Sequence, residues 1–120
     1  MRYLLIMMFM LMFSNPAIAE VDLEKWSSAI YLAEGGESAV VPYGMFFKGC
    51  DWDNVSYCKK IVHNTIYNTL VKYRSTRCTP GESDISCMQR RYCPLDDPRD
   101  VGGLNKNWQK NVLFYLKEEK

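Results

Sequence analysis

The sequence predicts a small, mainly α-helical domain, supported by disulfides, with one short extended or β segment after its first helix. Three observations carry that expectation. Apolar residues recur at intervals of three and four in several stretches, the pattern of helices that bury one face. The punctuation between those stretches is turn chemistry: Gly35-Gly36, Pro42-Tyr43-Gly44, Thr79-Pro80-Gly81 and Gly102-Gly103. Five cysteines follow an N-terminal leader, which sets the redox context in which they are read.

The leader comes first. Arg2 precedes an unbroken apolar run from Leu4 to Phe13, Asn15-Pro16 breaks it, and Ala17-Ile18-Ala19 supplies small residues at a cleavage site. That is the pattern of a secretory signal peptide, residues 1–19, cut before Glu20. The apolar run is shorter than the about 20 residues that span a bilayer, so no stable membrane insertion is expected after cleavage. Residues 20–120 then form one domain, exported to the periplasm or the extracellular space. The chain has 15 basic and 14 acidic residues, and Arg2 leaves with the leader, so the mature domain is formally neutral. It lacks the basic footprint of a nucleic-acid binder or a polybasic membrane-surface protein.

In the first predicted helix Asp22 serves as N-cap, and Leu23, Trp26, Ile30 and Ala33 make one apolar face. Gly35-Gly36 ends it, because glycine takes the left-handed conformation of a helix terminus without a Cβ clash. Ser38 to Phe47, rich in valine and aromatics but broken by Pro42 and Gly44, reads as the extended segment with a sharp bend. Asp53 caps a long second helix with Val55, Cys58, Val62, Ile66, Thr69 and Tyr73 on its buried face. A third, short helix begins near Ser83 or Asp84, carries Ile85, Met88 and Tyr92, and stops at Cys93-Pro94. Residues Pro94 to Gly103 have loop composition. Asn105 caps a final helix with Trp108, Val112, Tyr115 and Leu116 as its apolar positions.

Export makes disulfides the default state of Cys50, Cys58, Cys78, Cys87 and Cys93, and an odd number leaves at least one thiol unpaired within the monomer. Cys78 and Cys87 bracket a turn-rich loop and are a natural pair. Cys58 on one helix and Cys93 at the end of another suggest a second bridge, with Cys50 left over. The spacing itself leaves other connectivities open. A metal site has little basis, since no C-x-x-C pair occurs and His63 is the single histidine. No cofactor is implied.

The most informative position is Glu34. It ends the apolar face of the first helix, where unpaired carbonyls carry partial negative charge and hold a carboxylate closer to its protonated form. A glutamate biased that way is a candidate general acid. Tyr43 and Trp108 are the aromatics expected to flank it. Asn64, Tyr67 and Asn68 form a polar row on the second helix suited to a sugar groove, and Asn107 lies beside Trp108; all six are candidate substrate-binding residues. A thiol enzyme is a weaker reading, because Cys58 and His63 are five residues apart and diverge around one helix.

A helix ending in Ala33-Glu34-Gly35-Gly36 and followed by Pro42-Tyr43-Gly44-Met45 resembles the start of the lysozyme-like superfamily of peptidoglycan-cleaving enzymes. That superfamily includes lytic transglycosylases, goose-type lysozymes and phage muramidases. Arg91-Tyr92-Cys93-Pro94 and Leu104-Asn105-Lys106-Asn107-Trp108 extend the resemblance over nearly the whole mature chain. It implies a small lysozyme-like domain that binds a peptidoglycan glycan strand, with Glu34 as the catalytic acid at the bond between N-acetylmuramic acid and N-acetylglucosamine. A hydrolase of this kind uses a second carboxylate at a defined distance. No motif picks one out from Glu37, Asp51 and Asp53, so the one-acid route of a lytic transglycosylase is expected. The chain departs from the family pattern in having Glu34-Gly35-Gly36 where Glu-Ser-Gly is usual, and in a shortened segment at Gly44-Met45-Phe46. The alternative is a secreted, disulfide-stapled binding protein without catalysis, such as a periplasmic inhibitor or adaptor. Either reading allows a protein partner in a cell-envelope assembly.

Overall fold

The computed structural model describes residues 21–100 and 102–118; the expected signal peptide, residues 1–19, lies outside them. Helix α1, Leu23–Ala33, starts as the sequence dictates, with the Asp22 carboxylate accepting the Lys25 N–H at 3.0 Å. It buries Trp26, Ser27, Ala29 and Ile30. It closes at Glu34, whose N–H bonds back to the Ile30 carbonyl, and Gly35 follows at φ 109°.

The segment after α1 is not a strand. It makes two single 3₁₀ turns, Gly36–Ser38 and Pro42–Gly44, and no strand occurs among the described residues. The reason is local. Proline lacks the N–H a ladder needs, and Tyr43 (φ 59°) and Gly44 (φ 65°) both take left-handed backbone, which turns the chain instead of extending it.

Helix α2, Val55–Tyr67, buries Cys58, Val62 and Ile66. Asn54, not Asp53, occupies its cap position, and Asp53 instead donates its N–H to the Asp51 side chain. A π turn over Asn68–Lys72 continues the helix and buries Thr69 and Leu70. This wider turn shifts the buried face by about one residue, so Leu70 points inward while Tyr73, expected inside, is exposed. A single turn, α3 (Arg74–Arg77), then leads to α4, Asp84–Tyr92, which is capped by Ser83 and buries Ile85, Cys87, Met88 and Gln89. The loop after it folds back through Asp100, whose carboxylate accepts the N–H groups of Leu104 and Asn105. A 3₁₀ turn, Leu104–Asn107, therefore precedes α5, Trp108–Glu118, where Asn105 was expected to cap the helix directly.

Helix α1 lies against both α2 and α5, and α4 packs on α5 and on the π turn. Trp26, Ala29, Ile30, Val62, Ile66, Leu70, Met88, Trp108 and Val112 meet in one core. Burial of each large apolar side chain contributes about 1.5–3 kcal/mol. Cys78 and Cys87 are bridged (Cα–Cα 5.3 Å), tying α3 to α4. Cys58 is bridged to Cys50 (Cα–Cα 5.0 Å), and Cys93 is the free thiol. The expected Cys58–Cys93 bridge does not form, because Cys58 sits in the first turn of α2 beside the loop that carries Cys50, whereas Cys93 ends α4. Bridges of this kind form and persist in oxidising compartments. No helix among the described residues is long and apolar enough to cross a membrane.

Candidate functional site

Three parts of the chain converge on Glu34. The end of α1 projects the carboxyl, the Pro42–Gly44 turn passes beneath it, and the first residue of α5 closes it from the side. The Trp108 indole N–H donates to Glu34 Oε1 at 3.0 Å, and Trp108 itself is only 4 % exposed. The other oxygen lies over Gly44, where a Cβ would fall onto Oε2 and Cδ of the glutamate. Glycine at position 44 therefore answers two demands, a positive φ and the space the carboxyl occupies.

The turn beneath is braced. Tyr43 is a non-glycine residue in left-handed backbone, a conformation that persists where surrounding contacts over-determine it. Those contacts are present: the Tyr92 hydroxyl donates to the Tyr43 carbonyl, and the Tyr43 ring packs on Tyr31 with centroids 5.1 Å apart. Tyr92 also stacks on Trp108 at 5.7 Å. One tyrosine thus joins the turn to the indole that holds the acid.

Burial pushes the Glu34 pKa above its ordinary value of 4.5, and the Trp108 hydrogen bond opposes the rise. Desolvation is the largest cause of the rise, and the helix-terminus effect expected from the sequence has the same sign. Burial, and then the negative charge of Glu34, raises the Tyr92 phenol well above the usual range. Burial also pushes the Cys93 thiol up to about 12, with Glu34, Asp100 and Asp97 adding to the rise. Cys93 is thus held as a neutral thiol near the acid, the opposite of an activated nucleophile. A carboxyl that retains its proton more readily than usual, hydrogen-bonded and flanked by aromatics, is equipped to donate a proton and then to accept one.

Of the expected site residues, Trp108 meets Glu34 directly, while Tyr43 lies in the turn beneath it with its ring on Tyr31. Asn64 and Tyr67 are exposed on α2, opposite the face formed by Cys58, Val62 and Ile66, and Asn68 opens the π turn; they do not join Glu34. Asn107 is exposed in the turn before α5. Glu37, Asp51 and Asp53 are exposed as well, and none contributes to the pKa shift of Glu34. Two cavities lie elsewhere, one lined by Thr69, Arg77, Cys87, Arg90 and Arg91 and one around Gln89, Pro94 and Gln109; Glu34 lines neither. The chain that carries Gly44 continues into exposed Phe46 and Phe47.

Sequence reasoning on site chemistry passed over Tyr92 and Gly44. The Arg91-Tyr92-Cys93-Pro94 motif was the available signal for the tyrosine, but its helical spacing reads equally as core. Gly44 reads as a turn residue, and its second role exists only once α1 has been folded against the turn.

Fold and site together define a disulfide-bonded helical domain built around one half-buried, aromatic-flanked glutamic acid. No family model matches the chain, and neither a curated protein nor a solved structure matches it.

Proposed function

We propose that this protein is an exported enzyme, acting in the periplasm or outside the cell, that cleaves the glycan of peptidoglycan as a lytic transglycosylase, with Glu34 as its one acid and base. The observation that carries the reading is the seat of Glu34 between the Trp108 indole and Gly44, with burial raising its pKa. In the first step Glu34 gives its proton to the glycosidic oxygen between N-acetylmuramic acid and N-acetylglucosamine, and the bond to the muramic acid anomeric carbon breaks. In the second, the Glu34 carboxylate takes the proton from the muramic acid's own hydroxyl as that oxygen bonds to the anomeric carbon. An anhydro ring forms, Glu34 recovers its proton, and no water is consumed.

One carboxyl suffices for that sequence. A hydrolase would call for a second carboxylate to act on water or on the sugar. A second reading is a secreted binding protein without catalysis.

The test is to incubate the purified mature protein and its Glu34→Gln variant with peptidoglycan and identify the released muropeptides by mass spectrometry. Anhydro-muropeptides from the wild type alone are the expected result. Reducing ends would mean hydrolysis. Absence of products from a folded wild type would overturn the enzymatic reading in favour of binding.

A further inference from the structure

A second constellation lies between the π turn, α3 and α4. A cavity of about 360 Å³ is lined there by Thr69, Arg77, Cys87, Arg90 and Arg91. Its arginines are not all matched by acids. Arg90 is held by the Glu82 carboxylate and by the Arg77 carbonyl. The nearby Arg74 is paired with Asp84. Arg77, whose guanidinium sits 5.0 Å from the Tyr73 ring centroid, and Arg91 make no ion pair among the described residues. In a mature chain that is neutral as a whole, the stretch from Lys72 to Tyr92 holds four arginines and a lysine against only Glu82 and Asp84.

The independent observation is Thr69. Its hydroxyl is buried and has no hydrogen-bond partner among the described residues. One turn earlier, Thr65 donates to the Ile61 carbonyl at 2.9 Å, the usual solution for a threonine in an α-helix. Thr69 stands in the π turn, where the hydrogen-bond ladder is offset and that solution is lost. A buried hydroxyl without a partner is costly and calls for an explanation. Thr69 lines the same cavity as two guanidiniums without carboxylate partners. The Cys78–Cys87 bridge fixes α4 to the end of α3, so the groups are presented on a braced frame.

We infer that this cavity is an oxyanion-binding site, in which Arg77 and Arg91 hold a carboxylate or phosphate group and the Thr69 hydroxyl donates to one of its oxygens. Guanidinium forks match the planar geometry of carboxylate and the oxygens of phosphate, and charge-assisted bonds of this kind are among the stronger ones available to a protein. The inference does not rest on the role of Glu34.

The test is an NMR titration of the mature protein with inorganic phosphate and, separately, with succinate, at ionic strength held constant with sodium chloride. Saturable shifts at the Thr69 amide and at the Arg77 and Arg91 side chains are expected. Arg77→Gln and Arg91→Gln should each weaken binding about tenfold, the scale of a lost charged hydrogen bond. Thr69→Val keeps the side-chain shape and should weaken binding by less. Arg99→Gln, which breaks only the exposed pair with Asp97, should leave it unchanged. A response to phosphate alone assigns a phosphate ligand, and an equal or stronger response to succinate assigns a carboxylate. No saturable shift with either anion, or shifts that persist unchanged in Arg91→Gln, would overturn the site.

Discussion

Glu34 carries opposite demands, since burial penalises its charged form and so raises its pKa, whereas the Trp108 hydrogen bond favours the charged form. Because its folded-state pKa lies above the ordinary 4.5, the folded protein binds this proton more tightly than the unfolded chain does. The associated stability is therefore fully present below the unfolded value and is lost as pH rises through the folded one. Glu34→Gln removes that dependence. Urea unfolding from about pH 4 to about pH 7 should show the variant gaining on the wild type as pH rises, while catalysis drops by about 10²-fold or more if Glu34 is the general acid. The Trp108 bond favours the carboxylate, so Trp108→Phe should move the alkaline limb of the rate profile upward; an unmoved or lowered limb would deny the indole its role. In Gly44→Ala the new Cβ displaces the carboxyl and the backbone at φ 65° adds about 1–2 kcal/mol of strain. Its expected signature is a folded protein, confirmed by its unfolding midpoint, with activity as low as that of Glu34→Gln.

At the scale of elements, the Cys50–Cys58 bridge, the two 3₁₀ turns after α1 and the π turn are the main differences from expectation. Peptide mapping without reduction should recover Cys50 joined to Cys58 and Cys78 joined to Cys87, with Cys93 alone. Because the Cys93 thiol is pushed up to about 12, alkylation of the native protein near neutral pH should be slow and should accelerate on unfolding. Replacing both Cys78 and Cys87 by serine should cost about 2–4 kcal/mol, measured by urea unfolding. The helices themselves were legible. Trp26 and Ile30, Val62 and Ile66, and Trp108 and Val112 announce their faces by spacing alone, and Asp22 and Ser83 cap as their chemistry suggests. The π turn was not legible, because a periodicity read at 3.6 residues per turn has no mark for the extra residue. It kept Thr69 on the buried face and moved Tyr73 off it.

Across the whole molecule, the C-terminal helix completes both the core and the site. Trp108 and Val112 pack on α1, and the same tryptophan holds Glu34. A chain ended at Asn107 should therefore lose cooperative unfolding as well as activity, which a urea titration followed by circular dichroism would read directly. The sequence alone determined the helical class and the position of the acid at a helix terminus, and it made Cys78 and Cys87 a natural pair. These follow from interactions within a few residues, or from side-chain types that have few other uses. Tertiary structure alone decided that Trp108 reaches Glu34 across 74 positions, that Tyr92 braces the turn across 49, and that Asn64, Tyr67 and Asn68 stand apart from the acid. Such pairings depend on how amphipathic faces are rotated and stacked against each other. Spacing along one helix says which residues share a face, but only packing says which face it meets.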